Sequence, residues 1–126
     1  MALSCSKDTT MSPSAPEDRA VLVYVTCPSN AEAGRIGGLL VERRLAACIN
    51  ILPEMTSIYR WEGKLQTERE AVMIAKTRAS LAAPVREAVR GTHPYTNPAI
   101  LVIDVAGGSP EFLAWIMAET SDARAG

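Results

Sequence analysis

Apolar and β-branched residues follow one another without a break from Arg19 to Thr26 (RAVLVYVT), and Cys27-Pro28 ends the run, a pattern that predicts a central β-strand. Downstream the period becomes helical. Ser29 and Glu32 stand at capping-box spacing, and Ile36, Leu39, Leu40 and Arg43 recur every three or four residues. Ser29 to Arg44 is therefore predicted to be a helix, with Arg43 and Arg44 at the negative end of its dipole. Gly37 and Gly38 each weaken such a helix by roughly 1 kcal/mol relative to alanine, and close backbone packing is the expected reason.

The longest patterned stretch, Leu45 to Thr77, predicts one long hairpin whose turn is Glu62-Gly63, a pair resembling the Asp-Gly that supplies positive φ angles. That turn sets Trp61 opposite Lys64, Tyr59 opposite Gln66 and Ser57 opposite Glu68. Arms of about 15 residues far exceed the usual strand of roughly 5 to 6, so they are expected to lean on another subunit. Pro53 marks where the first arm must bulge or switch sheets. Leu81, Val85 and Val89 then predict a second helix over Ser80 to Arg90, with Pro84 in its first turn and Gly91 ending it. Residues 92–98 (THPYTNP) read as a rigid loop, Ala99 to Ala106 as another apolar strand, and Gly107-Gly108 as a turn. Ser109-Pro110 opens a third helix whose buried stripe is Phe112, Leu113, Ile116 and Met117.

The order is β-α-β-β-α-β with an additional C-terminal helix. It predicts an α+β, ferredoxin-like sandwich with both main helices on one face of an antiparallel sheet and a long hairpin between the second and third strands. The other sheet face has no helices left to cover it, so further subunits are expected there. Residues 1–18 are polar, rich in Ser, Thr and Pro, and are expected to be a disordered leader. The domain is expected over residues 19–120, and 121–126 form a tail.

Composition narrows the function classes. A net charge of −1 over 126 residues offers no basic excess for phosphate backbones, so nucleic acid is not an expected partner. No run of 18 apolar residues and no signal-peptide pattern occur, which predicts a cytoplasmic protein without a membrane span. Three cysteines, Cys5, Cys27 and Cys48, without CxxC spacing argue against a disulfide framework or a zinc knot, and Cys48 reads as a small buried hydrophobe.

Taken together, RLAACINILP, then S-x-Y-x-W-x-G-K, then E-x-x-x-x-x-KT, then HPY and a closing apolar helix with Trp resemble the CutA family of divalent-cation tolerance proteins, from Arg19 to about Thr120. The resemblance implies a homotrimer packed through the hairpins and the terminal helix, non-catalytic, implicated in the response to metal ions. It also implies copper or another divalent metal, weakly bound. The copper ligands described for the family are a cysteine near the end of the first strand and histidines just before Pro-Tyr. Here Val25 stands where that cysteine would be, Cys27 follows two residues later, and Thr92 replaces one histidine. Thr96 and Ala99 stand where the family's HPY-E-x-P-E carries carboxylates. His93 with Cys27 remains the candidate metal pair, too few donors for a tetrahedral site within one subunit.

As the one histidine, His93 carries any catalytic or metallic reading; as a lone residue on a loop it reads equally as a hydrogen-bonded structural group. No G-x-S-x-G, Walker loop or H-E-x-x-H is present, so no enzyme is predicted. Tyr59, Trp61, Lys64, Glu68, Lys76 and Tyr95 are candidates to line clefts between subunits, and packing of Tyr59 and Trp61 on a neighbour is the plainer reading. Gly107-Gly108-Ser109 could cradle an anion, although turn and cap chemistry explains it equally. The alternatives are a signalling module resembling PII proteins, with a small anionic ligand in those clefts, and a trimeric scaffold without a ligand.

Overall fold

Val21, Val23, Val25 and Cys27 alternate along the first strand and are each at most 1% exposed, which fixes the side of the sheet that holds the core. In the computed structural model, which describes residues 18–121, the elements are β1 (Ala20–Cys27), α1 (Asn30–Glu42), β2 (Cys48–Trp61), β3 (Lys64–Arg78), α2 (Ala82–Thr92), β4 (Ile100–Asp104) and α3 (Pro110–Glu119). A 3-10 turn, Ala79–Leu81, leads into α2. The strands form one antiparallel sheet in the order β2-β3-β1-β4. This is the expected ferredoxin-like α+β arrangement, with β1 and β2 parallel in direction and β3 between them.

The core lies between the sheet and the two main helices. Ala33, Ile36 and Leu40 of α1 and Val85 and Val89 of α2 pack on Val23, Val25, Ala71, Met73 and Ala75. Ser29 caps α1 by accepting the Glu32 N–H at 3.1 Å, but the Glu32 carboxylate turns to Arg35 at 2.6 Å, so half of the expected capping box forms. Gly37 meets the sheet: a Cβ there would stand 2.8 Å from Ile49 Cγ2. Gly38 faces open space and has no such reason.

Two helix ends and the buried stripe of the third helix differ from expectation. Helix α1 stops at Glu42 because Arg44 takes a left-handed φ of 59°, and the Arg44 guanidinium reaches the Glu119 carbonyl at 3.3 Å, serving α3 rather than its own helix. Gly91 does not end the second helix; the helix runs on to Thr92 and stops at His93. There Pro94 forces its predecessor into the extended region, φ −77° and ψ 138°. In α3 only Ile116 is buried, packing on Ala20 and Ala47. Phe112 is exposed, stacked on Trp115 at 5.4 Å with the Lys76 ammonium 5.1 Å from its ring centre.

Helix α3 lies across the sheet face opposite α1 and α2, over one end of it. It is held there by Arg78, which bonds Thr120 Oγ1 at 2.9 Å and the Met117 carbonyl, and by Arg44. The rest of that face is open: Leu52, Leu101 and Ile103 are 56%, 59% and 45% exposed. Cys48, expected to be buried, is half-buried on the edge strand β2. The leader over residues 1–17 and the tail over 122–126 lie outside the described residues. Asp18, placed in the leader by sequence, is fixed by Arg78 at 3.2 Å and by the Ser80 N–H at 2.9 Å. No helix among the described residues is long and apolar enough to cross a membrane.

Candidate functional site

The turn residues Glu62 and Gly63 have φ of 51° and 80°, and Trp61 faces Lys64, Tyr59 faces Gln66 and Ser57 faces Glu68, as the sequence predicts. Which side of the sheet these residues occupy is decided lower down. Leu52 pairs with Val72 and Met55 with Glu70, so Pro53 and Glu54 together stand opposite Ala71. This is a β-bulge, with Glu54 at φ 57°. One extra residue reverses the side-chain alternation of β2. Below the bulge its even-numbered residues share the open face with Val72; above it Met55, Ser57, Tyr59 and Trp61 do, beside Glu70, Glu68, Gln66 and Lys64.

The loop after α2 comes to the same end of the sheet. The His93 ring, 8% exposed, has Nε2 2.8 Å from the Thr26 carbonyl, while Nδ1 accepts the Tyr95 N–H at 3.0 Å. The pairing requires the proton on Nε2, donated to Thr26, and the lone pair on Nδ1. His93 thereby fastens the loop to the end of β1 and presents Tyr95, whose ring is 4.9 Å from its own. Arg35 adds a second tie, donating to the Thr92 carbonyl at 2.7 Å. Thr92, at the position of the absent second histidine, bonds back to the Ala88 carbonyl at 3.0 Å.

The Tyr95 hydroxyl donates to Glu70 Oε2 at 3.0 Å. Burial, the bond to Glu70 and the nearby Glu68 and Tyr59 push its phenol up to about 12. Tyr59 is raised in the same direction by burial, then by the neighbouring Glu68 and the charge of Glu70. Two phenols and two carboxylates thus form one cluster. Of the candidates named from sequence, Tyr59, Glu68 and Tyr95 come together, and Trp61 and Lys64 extend the same face toward the tip. Lys76 does not join them within the subunit: it lies eight residues further along β3, roughly 26 Å away at strand rise, beside Phe112. Glu70 was not anticipated. Its signal was the two-residue spacing from Glu68 on one strand face, whose partner Tyr95 only the fold supplies.

Cys27 is wholly buried, and burial pushes its thiol up to about 11, with Glu32 and Glu70 adding to the shift. It is thus a protonated core residue at neutral pH. Together with a His93 whose two nitrogens are already engaged, it does not fit a resident copper centre within one subunit. No group of three or more His, Cys, Asp or Glu suited to a metal ion occurs among the described residues. A shallow depression on α2 lined by Ala83, Pro84, Glu87 and Ala88 lacks converging polar groups and carries no chemistry.

A family model described as CutA1 divalent ion tolerance protein matches residues 21–119. The divalent-cation tolerance protein CutA of Archaeoglobus fulgidus is 47% identical over 94 residues, 75% of this chain and 91% of the relative. That of Thermus thermophilus is 41% identical over 99 residues, 79% of this chain and 96% of the relative. The crystal structure of CutA1 from Oryza sativa superposes with a TM-score of 0.79 at 38% identity, covering 81% of this chain and 94% of that one. The chain spans 56%, 62% and 52% of the length of relatives from Arabidopsis thaliana, Xenopus laevis and Mus musculus. With the matched model running through β1 to α3, this chain belongs to the CutA1 divalent ion tolerance protein family.

Proposed function

We propose that the protein is a cytoplasmic, non-catalytic homotrimer that acts in the response to divalent cations and takes up copper or similar ions only weakly. The observation that carries this reading is the half-covered sheet: α3 screens one end of the open face and leaves Leu52, Leu101 and Ile103 beside the long hairpin, an apolar surface of the kind that subunits close. Weak metal uptake follows from the donors. A cation at His93 must take Nδ1 from the Tyr95 N–H, and the Cys27 thiol is buried and held protonated, so the expected affinity is low and the contribution of Cys27 small.

Light scattering coupled to gel filtration should give three times the chain mass, and a stable monomer at micromolar concentration would refute the assembly. Calorimetry with Cu²⁺ on the wild type, His93→Ala and Cys27→Ser tests the metal reading. Weak binding lost with His93 and nearly unchanged with Cys27→Ser is expected; binding that survives His93→Ala would move the metal elsewhere.

A further inference from the structure

Glu70 is in an unusual position for a carboxylate. It is 9% exposed, yet within the described residues only Oε2 is bonded, to the neutral Tyr95 hydroxyl; Oε1 accepts no hydrogen bond and neither oxygen has a salt-bridge partner. Burying a carboxylate on one neutral donor is costly, and natural structures relieve that cost with a cation. Glu68 lies two residues away on the same strand face, roughly 7 Å along the strand, and among the described residues it too pairs with no cation. Like charges at that spacing raise the demand for a positive group between them.

The surroundings decide its kind. Tyr59, diagonal to Glu68 across the hairpin, and Tyr95, bonded to Glu70, flank the two carboxylates. A hard metal ion seeks six or more oxygen ligands, and no suitable group of three acidic or imidazole ligands exists among the described residues. Carboxylates set among aromatic rings suit an ammonium or guanidinium instead, which bonds the oxygens while resting against π surfaces. An anionic ligand is disfavoured, because Lys76 lies at the other end of the sheet and Lys64 is the one cation of the named cleft residues left on this face.

We propose that Glu70 and Glu68, with Tyr59 and Tyr95, form a receptor for an organic cation, an ammonium or guanidinium group that comes from outside the subunit. It goes beyond the assembly reading, and the two can fail separately. The cation is either a free amine or a basic side chain of a neighbouring copy, and the experiment distinguishes them.

Wild type and Glu70→Gln are compared for thermal shift with agmatine, against potassium chloride at equal ionic strength, and for dissociation on dilution by light scattering at low and high salt. A free amine predicts stabilisation of the wild type by agmatine, with affinity reduced at least about tenfold in Glu70→Gln. A neighbour's side chain predicts no agmatine response but a salt-sensitive assembly, weakened at least about tenfold by Glu70→Gln. Glu68→Gln, at an exposed position, serves if Glu70→Gln does not fold, and should reduce whichever response the wild type gives by about threefold or more. An agmatine response dependent on these residues in a monomer would sustain the receptor and refute the trimer. A tight trimer indifferent to these substitutions, with no agmatine response or one that they leave unchanged, would overturn the receptor.

Discussion

Adjacent glycines in α1 should respond to alanine with opposite signs. At Gly37 a new Cβ would lie 2.8, 3.2 and 3.4 Å from Cγ2, Cγ1 and Cβ of Ile49, three atoms of one β-branched side chain that has little rotamer freedom to yield. Overpacking of this kind costs about 1–3 kcal/mol, against the roughly 1 kcal/mol that alanine gains over glycine inside a helix. The net expectation is a loss of about 1 kcal/mol. Gly38→Ala meets nothing within 4 Å and should keep the whole helical gain, so the two variants should differ by about 2 kcal/mol. Urea unfolding followed by circular dichroism, at one fixed protein concentration so that assembly contributes equally, reads this difference directly. In a Gly37→Ala background, Ile49→Ala should show favourable coupling by removing the clash. If Gly37→Ala stabilises as much as Gly38→Ala, the close approach of α1 to β2 is wrong.

The remaining predictions concern the ends of the fold and the bulge. Burial raises Asp18, but the hydrogen bonds from Ser80 and Arg78 outweigh it and hold the carboxyl below its usual range. Its folded-state pKa being depressed, the stabilisation is fully present above the unfolded value of about 4 and is lost as pH falls through the folded one. Asp18→Asn should therefore cost about 1–2 kcal/mol at pH 7 and nothing once Asp18 is protonated in the wild type; a gap that persists at the acid end would refute the clasp. Glu54 holds φ 57° for an exposed ion pair with Arg69 at 3.6 Å, a strained backbone for a small return. Glu54→Gly should be neutral or gain about 0.5 kcal/mol, whereas a loss above about 1 kcal/mol would mean that the carboxylate matters.

How much of this was legible in the chain depends on how local the controlling physics is. The turn pair Glu62-Gly63 and the cap at Ser29 are decided by their own neighbourhoods, and both stand where the sequence put them. The end of α2 was misjudged because Gly91 is only a permissive residue, while Pro94 imposes an extended predecessor. The exposure of Phe112 was invisible to periodicity, which marks an apolar stripe without saying whether this subunit or another covers it.

The candidate site shows the same division at its sharpest. Pro53 announced an irregularity, but it did not say whether β2 would switch sheets or insert one residue, and the two have different consequences for every side chain beyond it. With a single inserted residue, Tyr59 and Trp61 pass from the parity of Ile49 and Ile51, which face the helices, to the face of Glu68 and Glu70. Independently of the bulge, the loop fastened by His93 brings Tyr95 to Glu70, 25 residues earlier in the chain. The phenol–carboxylate cluster therefore depends on two non-local conditions, a parity change in a strand and a loop anchored to the end of β1. Residue types named Tyr59, Glu68 and Tyr95 as candidates, but only the joint geometry identifies Glu70 as a buried carboxylate without a counter-charge among the described residues.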